Sequence, residues 1–478
     1  MQRTFPIPVI VLELARDNLL PAILFRTARA QCDADVLRAA GNRRLHLPPA
    51  EQRRMRLMVH ELAERYDMDL ELITSNPQYN ALILTGIGAH HAGQLLQWRL
   101  LLEELMAGGA LRVLVATGTV AAGVDFPART VVITAHSRRG AEGYLTLSAA
   151  EFQQMSGRAG RRGKDTVGFC LIAPSLFCDA RELLKVAKRP PEPLSSAYFP
   201  SPSTVLNLLR YRNVDDLMYT VERSLAAFVD RREAKEMRAE AQQLASQLPS
   251  DAEFERQPDH LRQSTKRERK RVRRLERQAS ELEVRQRTLV EQALAGLAQL
   301  GHVEDLSLSE KGYWAANLCT GLVLELAEMI EAKLFDGRSA EELAALVASI
   351  AGDSYRPYLS GPKSPISAED ERTIRDILER VGTLEMPGVQ EGREFVPAAA
   401  NTVLVWLQAE DWQQFRGLLI LSGVAEGDAA RLISQTADHL NQLTRLSESH
   451  PELTFRAEEA KRRLLRPPLT DAINVDSI

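Results

Sequence analysis

Between residues 20 and 175 the chain alternates short apolar runs with longer amphipathic stretches. The runs at 22–25, 81–85, 112–116, 130–134 and 166–173 are brief, aliphatic and bounded by Gly or Pro, which predicts strands buried on both faces. Between them residues 94–106 place Leu95, Leu96, Leu100, Leu101, Leu102 and Leu105 on one broad helical stripe. Strand and helix in alternation predict an α/β domain: a parallel sheet with helices on both faces. A Pro- and Ser-rich passage at 188–203 marks a connector, and beyond it helical periodicity takes over. Residues 230–290 combine high helix propensity, dense charge and a thin apolar stripe, the pattern of a solvated helical stalk. From 291 onward leucine spacing predicts a helical bundle, with a small hairpin after Gly301 and a frayed end at 471–478.

Composition narrows the reading. With 45% hydrophobic and 26% charged residues the 478-residue chain is an ordinary globular protein of about three domains. Sixty basic residues against 64 acidic ones give a net charge of −4, so a nucleic-acid partner has to be held by local patches. Cys32, Cys170, Cys178 and Cys319 are scattered, with neither zinc-ligand spacing nor a disulfide framework, which favours a reducing compartment. No run of 18 apolar residues exists and the first residues lack the apolar core of a signal peptide, so the expectation is no membrane partner and a cytoplasmic location.

Four segments carry candidate chemistry. At 21–32 a run opens into a helix through a small polar turn, where backbone N–H groups and the Thr27 hydroxyl suit a phosphate. At 86–93 the segment Gly-Ile-Gly-Ala-His90-His91-Ala-Gly93 combines glycines, which allow close backbone approach, with two imidazoles. A metal is the other reading of such a pair, but no third ligand lies at useful spacing. At 116–129, Thr117, Gly118, Thr119, Gly123 and Asp125 precede Pro127; the hydroxyls suit phosphate oxygens, or simply cap a helix. At 154–163, Gln154-Met-Ser-Gly157-Arg158-Ala-Gly160-Arg161-Arg162-Gly163 spaces arginines on glycines, and guanidinium forks so placed converge on one polyphosphate.

The order and spacing of these segments resemble the C-terminal RecA-like domain of superfamily 2 helicases, specifically the superkiller-type DExH-box RNA helicases. The 87–93 segment is similar to the family's His-His-Ala-Gly element, 116–129 to its motif V and 154–163 to its motif VI. Gly118 stands where the family usually has Glu, and Asp125 where Asn is common. Residues 206–209 and 219–228 resemble the family's winged-helix entry, and 322–346 its C-terminal helical-bundle (DSHCT-type) domain. Residues 425–433 resemble the bundle's Glu-Gly-Asp-x-x-Arg-Leu element. The resemblance implies an interdomain linker at 1–19, the second RecA-like domain at 20–187 and a connector with winged-helix entry at 188–230. It then implies a charged stalk at 231–290, the rest of the winged helix at 291–315, the bundle at 316–470 and a tail.

By that resemblance Arg161 is the arginine finger reaching the γ-phosphate of ATP, with Arg158 and Gln154 as catalytic companions, and Gly123, Asp125 and Gly157 completing the ATP side. Such fingers are worth about 10³–10⁵ in rate where measured in GTPases. Thr27, His90, His91, Gly93, Thr117, Thr119 and Arg431 fall on the nucleic-acid side. The sequence contains no Gly-x-x-x-x-Gly-Lys-Ser/Thr loop and no Asp-Glu-x-His box, so the ligands for Mg²⁺ are expected on a first RecA-like domain acting in cis or in trans. The expectation is therefore the C-terminal half of an ATP-dependent RNA helicase, inactive by itself, with RNA and an RNA-decay complex as partners. A non-enzymatic module binding RNA or a partner, and a DNA-repair-type helicase, are the alternatives. The run at 266–274, seven basic residues in nine, is either a phosphate-tracking patch or a solvated stalk face.

Overall fold

The computed structural model describes residues 5–118, 128–140, 143–174, 178–390 and 392–470. They form two compact units, one of residues 5–193, 409–431 and 466–470, the other of residues 194–408 and 432–465.

The first unit is built on a sheet of five parallel strands, β1 (Ala22–Arg26), β2 (Ile87–His90), β3 (Val113–Thr117), β4 (Thr130–Ile133) and β7 (Phe169–Ile172), ordered β2-β3-β1-β4-β7. A separate antiparallel pair, β5 (Ser137–Gly140) and β6 (Gly143–Thr146), lies between β4 and β7 in the chain. Side-chain alternation divides the core in two. Ile23, Phe25, Leu114, Ala116, Val131 and Ile133 pack to one side with helices Pro49–Arg65 and Leu96–Ala107. Ala22, Leu24, Val113, Val115 and Val132 pack to the other with helices Ile7–Arg16 and Arg29–Ala40. The apolar runs are thus two-faced because both faces of the sheet carry helices, the α/β layering expected from the pattern.

Three local readings need correction. Residues 81–85 are the end of a helix, Tyr79–Thr85, closed by Gly86 at φ 67°. The strand follows it: β2 includes Gly88, where a Cβ would lie 2.5 Å from Leu102 Cδ2, so the glycine lets a helix press on the sheet. Finally, β7 is an edge strand with Cys170 and Leu171 exposed, not buried on both faces.

In the second unit, helices Leu225–Ser246 and Asp259–Gln299 form an antiparallel stalk, stapled by Ala241, Val272 and Leu275 and by cross-helix pairs such as Arg238–Glu283 (2.5 Å) and Arg271–Glu240 (2.7 Å). A hairpin, Val303–Glu304 with Ser307–Leu308, follows; its two turn residues, Asp305 and Leu306, have φ of 47° and 62°, the left-handed pair a type I′ turn demands. Beyond it, helix Ala340–Ala351 packs against Pro397–Gln408 and Pro451–Leu464, and Trp406 donates its ring N–H to Leu464 O at 2.9 Å. Among the described residues no helix is long and apolar enough to cross a membrane.

Candidate functional site

Ligand sites of open parallel sheets gather outside the carboxyl ends of the strands. Here that edge carries the turn after β1, the loop after β2 and the end of β3, while the arginine loop precedes β7 and pairs with residue 128, ahead of β4.

The arginine loop is held by backbone. Helix Ala149–Ser156 begins in a capping box between Ser148 and Glu151 and ends at Gly157. The chain then pairs with residue 128: Ala128 N donates to Arg158 O (2.9 Å) and Gly160 N to Ala128 O (2.7 Å). Gly160 sits at φ 93°, and a Cβ on Gly168 would lie 2.4 Å from the Ala159 carbonyl, so two glycines make this crossing possible. Arg161 is fixed by Asp165: Nε donates to Oδ2 at 2.8 Å, Nη2 to Oδ1 at 3.0 Å and the Arg161 backbone N–H to Oδ2 at 3.0 Å. Arg129 approaches the same carboxylate at 3.5 Å. These hydrogen bonds pull the Asp165 carboxyl down to about 2. The guanidinium is therefore gripped by one edge, and Nη1 has no hydrogen-bond partner among the described residues. Gln154 is exposed on the helix before it, and Arg158 is half-buried. Thr117 closes β3, and a Cβ on neighbouring Gly118 would stand 3.0 Å from Met155 Cε, so Gly118 lies against the helix Ala149–Ser156. Thr119, Gly123 and Asp125 lie outside the described residues.

The loop after β2 is organised differently from its sequence expectation. His90 and His91 are 5% and 2% exposed, which withdraws both imidazoles from direct contact with a nucleic-acid strand. His90 Nε2 meets Glu103 Oε1 at 2.6 Å. His91 Nδ1 accepts the Gly93 N–H at 3.1 Å, which puts the ring proton on Nε2, donated to Asp33 Oδ1 at 2.9 Å. Gln78 and Gln94 donate to that same Asp33 oxygen. The two rings address different carboxylates, and among the described residues no group of three or more His, Cys, Asp or Glu is arranged for a metal.

What approaches the loop closely is the chain's own residue 427. The helix Glu426–Leu443 starts against it: Gly427 N donates to Gly93 O at 3.1 Å, and a Cβ there would stand 2.3 Å from Ala92 O. Arg29 Nη1 reaches both Asp428 oxygens at 2.8 Å, with Asp428 buried. Glu426 faces Arg416 Nε at 2.8 Å and accepts the Trp412 ring N–H at 3.0 Å, while Arg416 Nη1 donates to Ser75 Oγ at 2.8 Å. Arg431 is exposed one turn further along the helix. Thr27, also exposed, gives its hydroxyl to Gln31 at 3.2 Å and leaves the helix Arg29–Ala40 without a side-chain cap.

The structure thus joins His91, Gly93 and the Glu-Gly-Asp element in one clamp, and Arg158 and Arg161 in one loop. Sequence reading passed over Asp33, Arg29, Arg416 and Asp165. Only Asp165 carried a local signal, four residues from Arg161.

Two family models match the chain: "Helicase conserved C-terminal domain" over residues 62–163 and "DSHCT (NUC185) domain" over residues 305–471. The loop at 91–94 lies in the first match and the clamping residues 426–428 in the second. The chain is similar to "Probable helicase HelY" of Mycobacterium tuberculosis, at 32% identity over 223 residues, 46% of this chain and 24% of that protein. It is similar to "DExH-box ATP-dependent RNA helicase DExH15 chloroplastic" of Arabidopsis thaliana, at 36% over 192 residues, 40% of this chain and 16% of that protein. Similarity to "Exosome RNA helicase MTR4" of Mus musculus is 30% over 232 residues, 46% of this chain and 21% of that protein. The chain spans about a quarter or less of the length of these curated relatives.

Proposed function

We propose, from the premise that this chain corresponds to the C-terminal half of a superkiller-type superfamily 2 helicase, that it supplies the arginine finger and part of the strand path of an ATP-driven RNA helicase. The observation that carries the reading is the grip on Arg161. With Nε and Nη2 bound to Asp165, the side chain is held in one orientation, and Nη1 is left out of that pair. A cation held this way meets developing phosphoryl charge without reorganising, which is where electrostatic catalysis gains most. Arg158, on the same glycine-spaced loop, is its companion, and Gln154 lies on the helix that precedes both. ATP and Mg²⁺ supply the transferable phosphoryl group and its charge neutralisation; the Mg²⁺ ligands come from a first RecA-like domain, in cis or in trans.

On the nucleic-acid side, Thr27, Thr117 and Arg431 are the direct contacts, whereas His90, His91 and Gly93 act by shaping the loop that the Glu-Gly-Asp helix clamps. One of the relatives is named as an exosome RNA helicase, which supports an RNA-decay assembly as the setting.

The test is reconstitution. This chain is mixed with a first RecA-like domain from a relative, and phosphate release is followed with and without RNA. RNA-stimulated turnover is expected only in the mixture, and Arg161→Ala should lower it by about 10³ or more without changing RNA affinity. Arg161→Lys should not rescue, because an ammonium cannot hold Asp165 with one edge and phosphate with the other. Turnover by this chain alone, or a reconstituted rate indifferent to Arg161, refutes the assignment.

A further inference from the structure

The basic run on the stalk is resolved by its helical phase. Within helix Asp259–Gln299, a rotation of about 100° per residue brings Lys266, Arg267, Lys270, Arg273, Arg274 and Arg277 within about 120° of one another, over about 17 Å of axis. All six are exposed, and the buried Thr265, Val272, Leu275 and Ala279 point the opposite way. Arg269, in the same run, does not belong to this face. It turns to Asp251 (2.7 Å), to the Pro249 carbonyl (2.9 Å) and over the Phe254 ring. Arg271 is likewise spent on Glu240.

The rest of the stalk shows how the hairpin treats cations it uses structurally. Arg285 and Arg287 reach across to Asp230 and Glu222, as Arg238 does to Glu283. On the basic face, by contrast, only Arg277 has an acidic partner among the described residues, Glu281 at 3.5 Å. Lys266, Lys270 and Arg274 follow one another at i, i+4, as do Arg273 and Arg277, the spacing at which like charges on a helix repel. A local rule broken without compensation inside the fold points to a function outside it. Five of the six, all but Lys266, line an open groove of about 640 Å³ together with Arg271 and Glu268, which lie 4.0 Å apart.

The geometry points to this face as a second nucleic-acid contact, outside the helicase domain, that holds the phosphate backbone of RNA without reading its sequence. The face carries no aromatic residue to stack on bases, so its grip is sequence-indifferent. It carries no apolar residue that would anchor a protein partner, whose interfaces need a dry core. The inference rests on the nucleic-acid reading of the chain and extends it to a surface that none of the helicase motifs includes.

The test uses the full chain and a labelled single-stranded polyuridylate RNA, with affinity measured across a KCl series. Each cation that neutralises a phosphate contributes a slope of about −0.7 to log affinity against log salt on single strands. The variant Lys266→Gln/Lys270→Gln/Arg273→Gln/Arg274→Gln should flatten the slope by about 2–3 and lower affinity more than tenfold at about 50 mM salt. The control Arg238→Gln/Arg285→Gln/Arg287→Gln removes similar charge from paired positions and should leave the slope unchanged. Retained wild-type binding with an unaltered slope in the first variant overturns the face and leaves an acidic protein as its occupant. Equal flattening by both variants overturns it as a mere effect of net charge. Absence of RNA binding by the wild-type chain overturns both the face and the nucleic-acid reading beneath it, so the two failures are told apart.

Discussion

The clamp on the loop after β2 makes an asymmetric prediction. Asp428 and Arg29 form a two-oxygen pair at 2.8 Å, but their side chains are 6% and 34% exposed. Asp428→Ala leaves a guanidinium that water can reach. Its cost is that of lost hydrogen bonds to a charged group, about 2 kcal/mol. Arg29→Ala strips the same two hydrogen bonds from a carboxylate water cannot replace them on, and the cost rises to about 3 kcal/mol or more. Hydrogen exchange on peptides spanning 86–95 and 424–432 reads both, because opening the clamp frees the Gly427 N–H from Gly93 O. At about 1.4 kcal/mol per tenfold, Asp428→Ala should speed exchange in both peptides about 30-fold and Arg29→Ala about 150-fold. The double variant should fall short of the sum by about 2 kcal/mol, the signature of one shared contact. Exchange that quickens at 424–432 while 86–95 stays protected would show that the helix does not hold the loop. Strict additivity would show that the pair is no unit.

Other positions give sharper yes-or-no results. Gly427→Ala should lower the melting temperature although alanine favours a helix, since its Cβ would stand 2.3 Å from the Ala92 carbonyl; a rise would refute the close approach. Asp165, held near 2 by Arg161, contributes stability that is whole above the ordinary carboxylate range and is lost as pH falls toward that value. Asp165→Asn should therefore flatten the acid limb of a melting-temperature profile between about pH 4 and 2. Burial pushes His302 down to about 3 and His439 to about 4, so both imidazoles are neutral in the fold. Their stabilisation is complete above about pH 6.5 and drains away as pH falls through the interval below it. His302→Gln should reduce that slope in urea titrations, and an unchanged slope would refute neutral burial.

Much of the first unit was legible in the chain. β1, β3 and β4 are aliphatic runs because helices cover both faces, and that is a composition a reader can see. The run at 81–85 misled because a short apolar segment buried in a helix has the same composition as a strand. The true strand was diluted by Gly88 and His90, residues chosen for Leu102 and Glu103 rather than for strand propensity. The arginine loop was recognisable from its glycines, yet the carboxylate that aims Arg161 was not given that role. The partnership of Arg29 with Asp428 spans 399 residues, and nothing in local pattern announces a contact at that range.

That span also has a consequence in time. Residues 409–431 belong to the same compact unit as residues 5–193, while the chain between them builds another. On the ribosome the sheet and its arginine loop emerge first, and roughly 240 residues must follow before Gly427 and Asp428 can reach the loop after β2. At about 5–20 residues per second the nascent domain waits roughly 10–50 s for this piece. During that interval the backbone at Ala92, Gly93 and Gln94 lacks the helix start that later covers it, which makes this stretch of synthesis the window in which a chaperone or a protease has its best access to the domain.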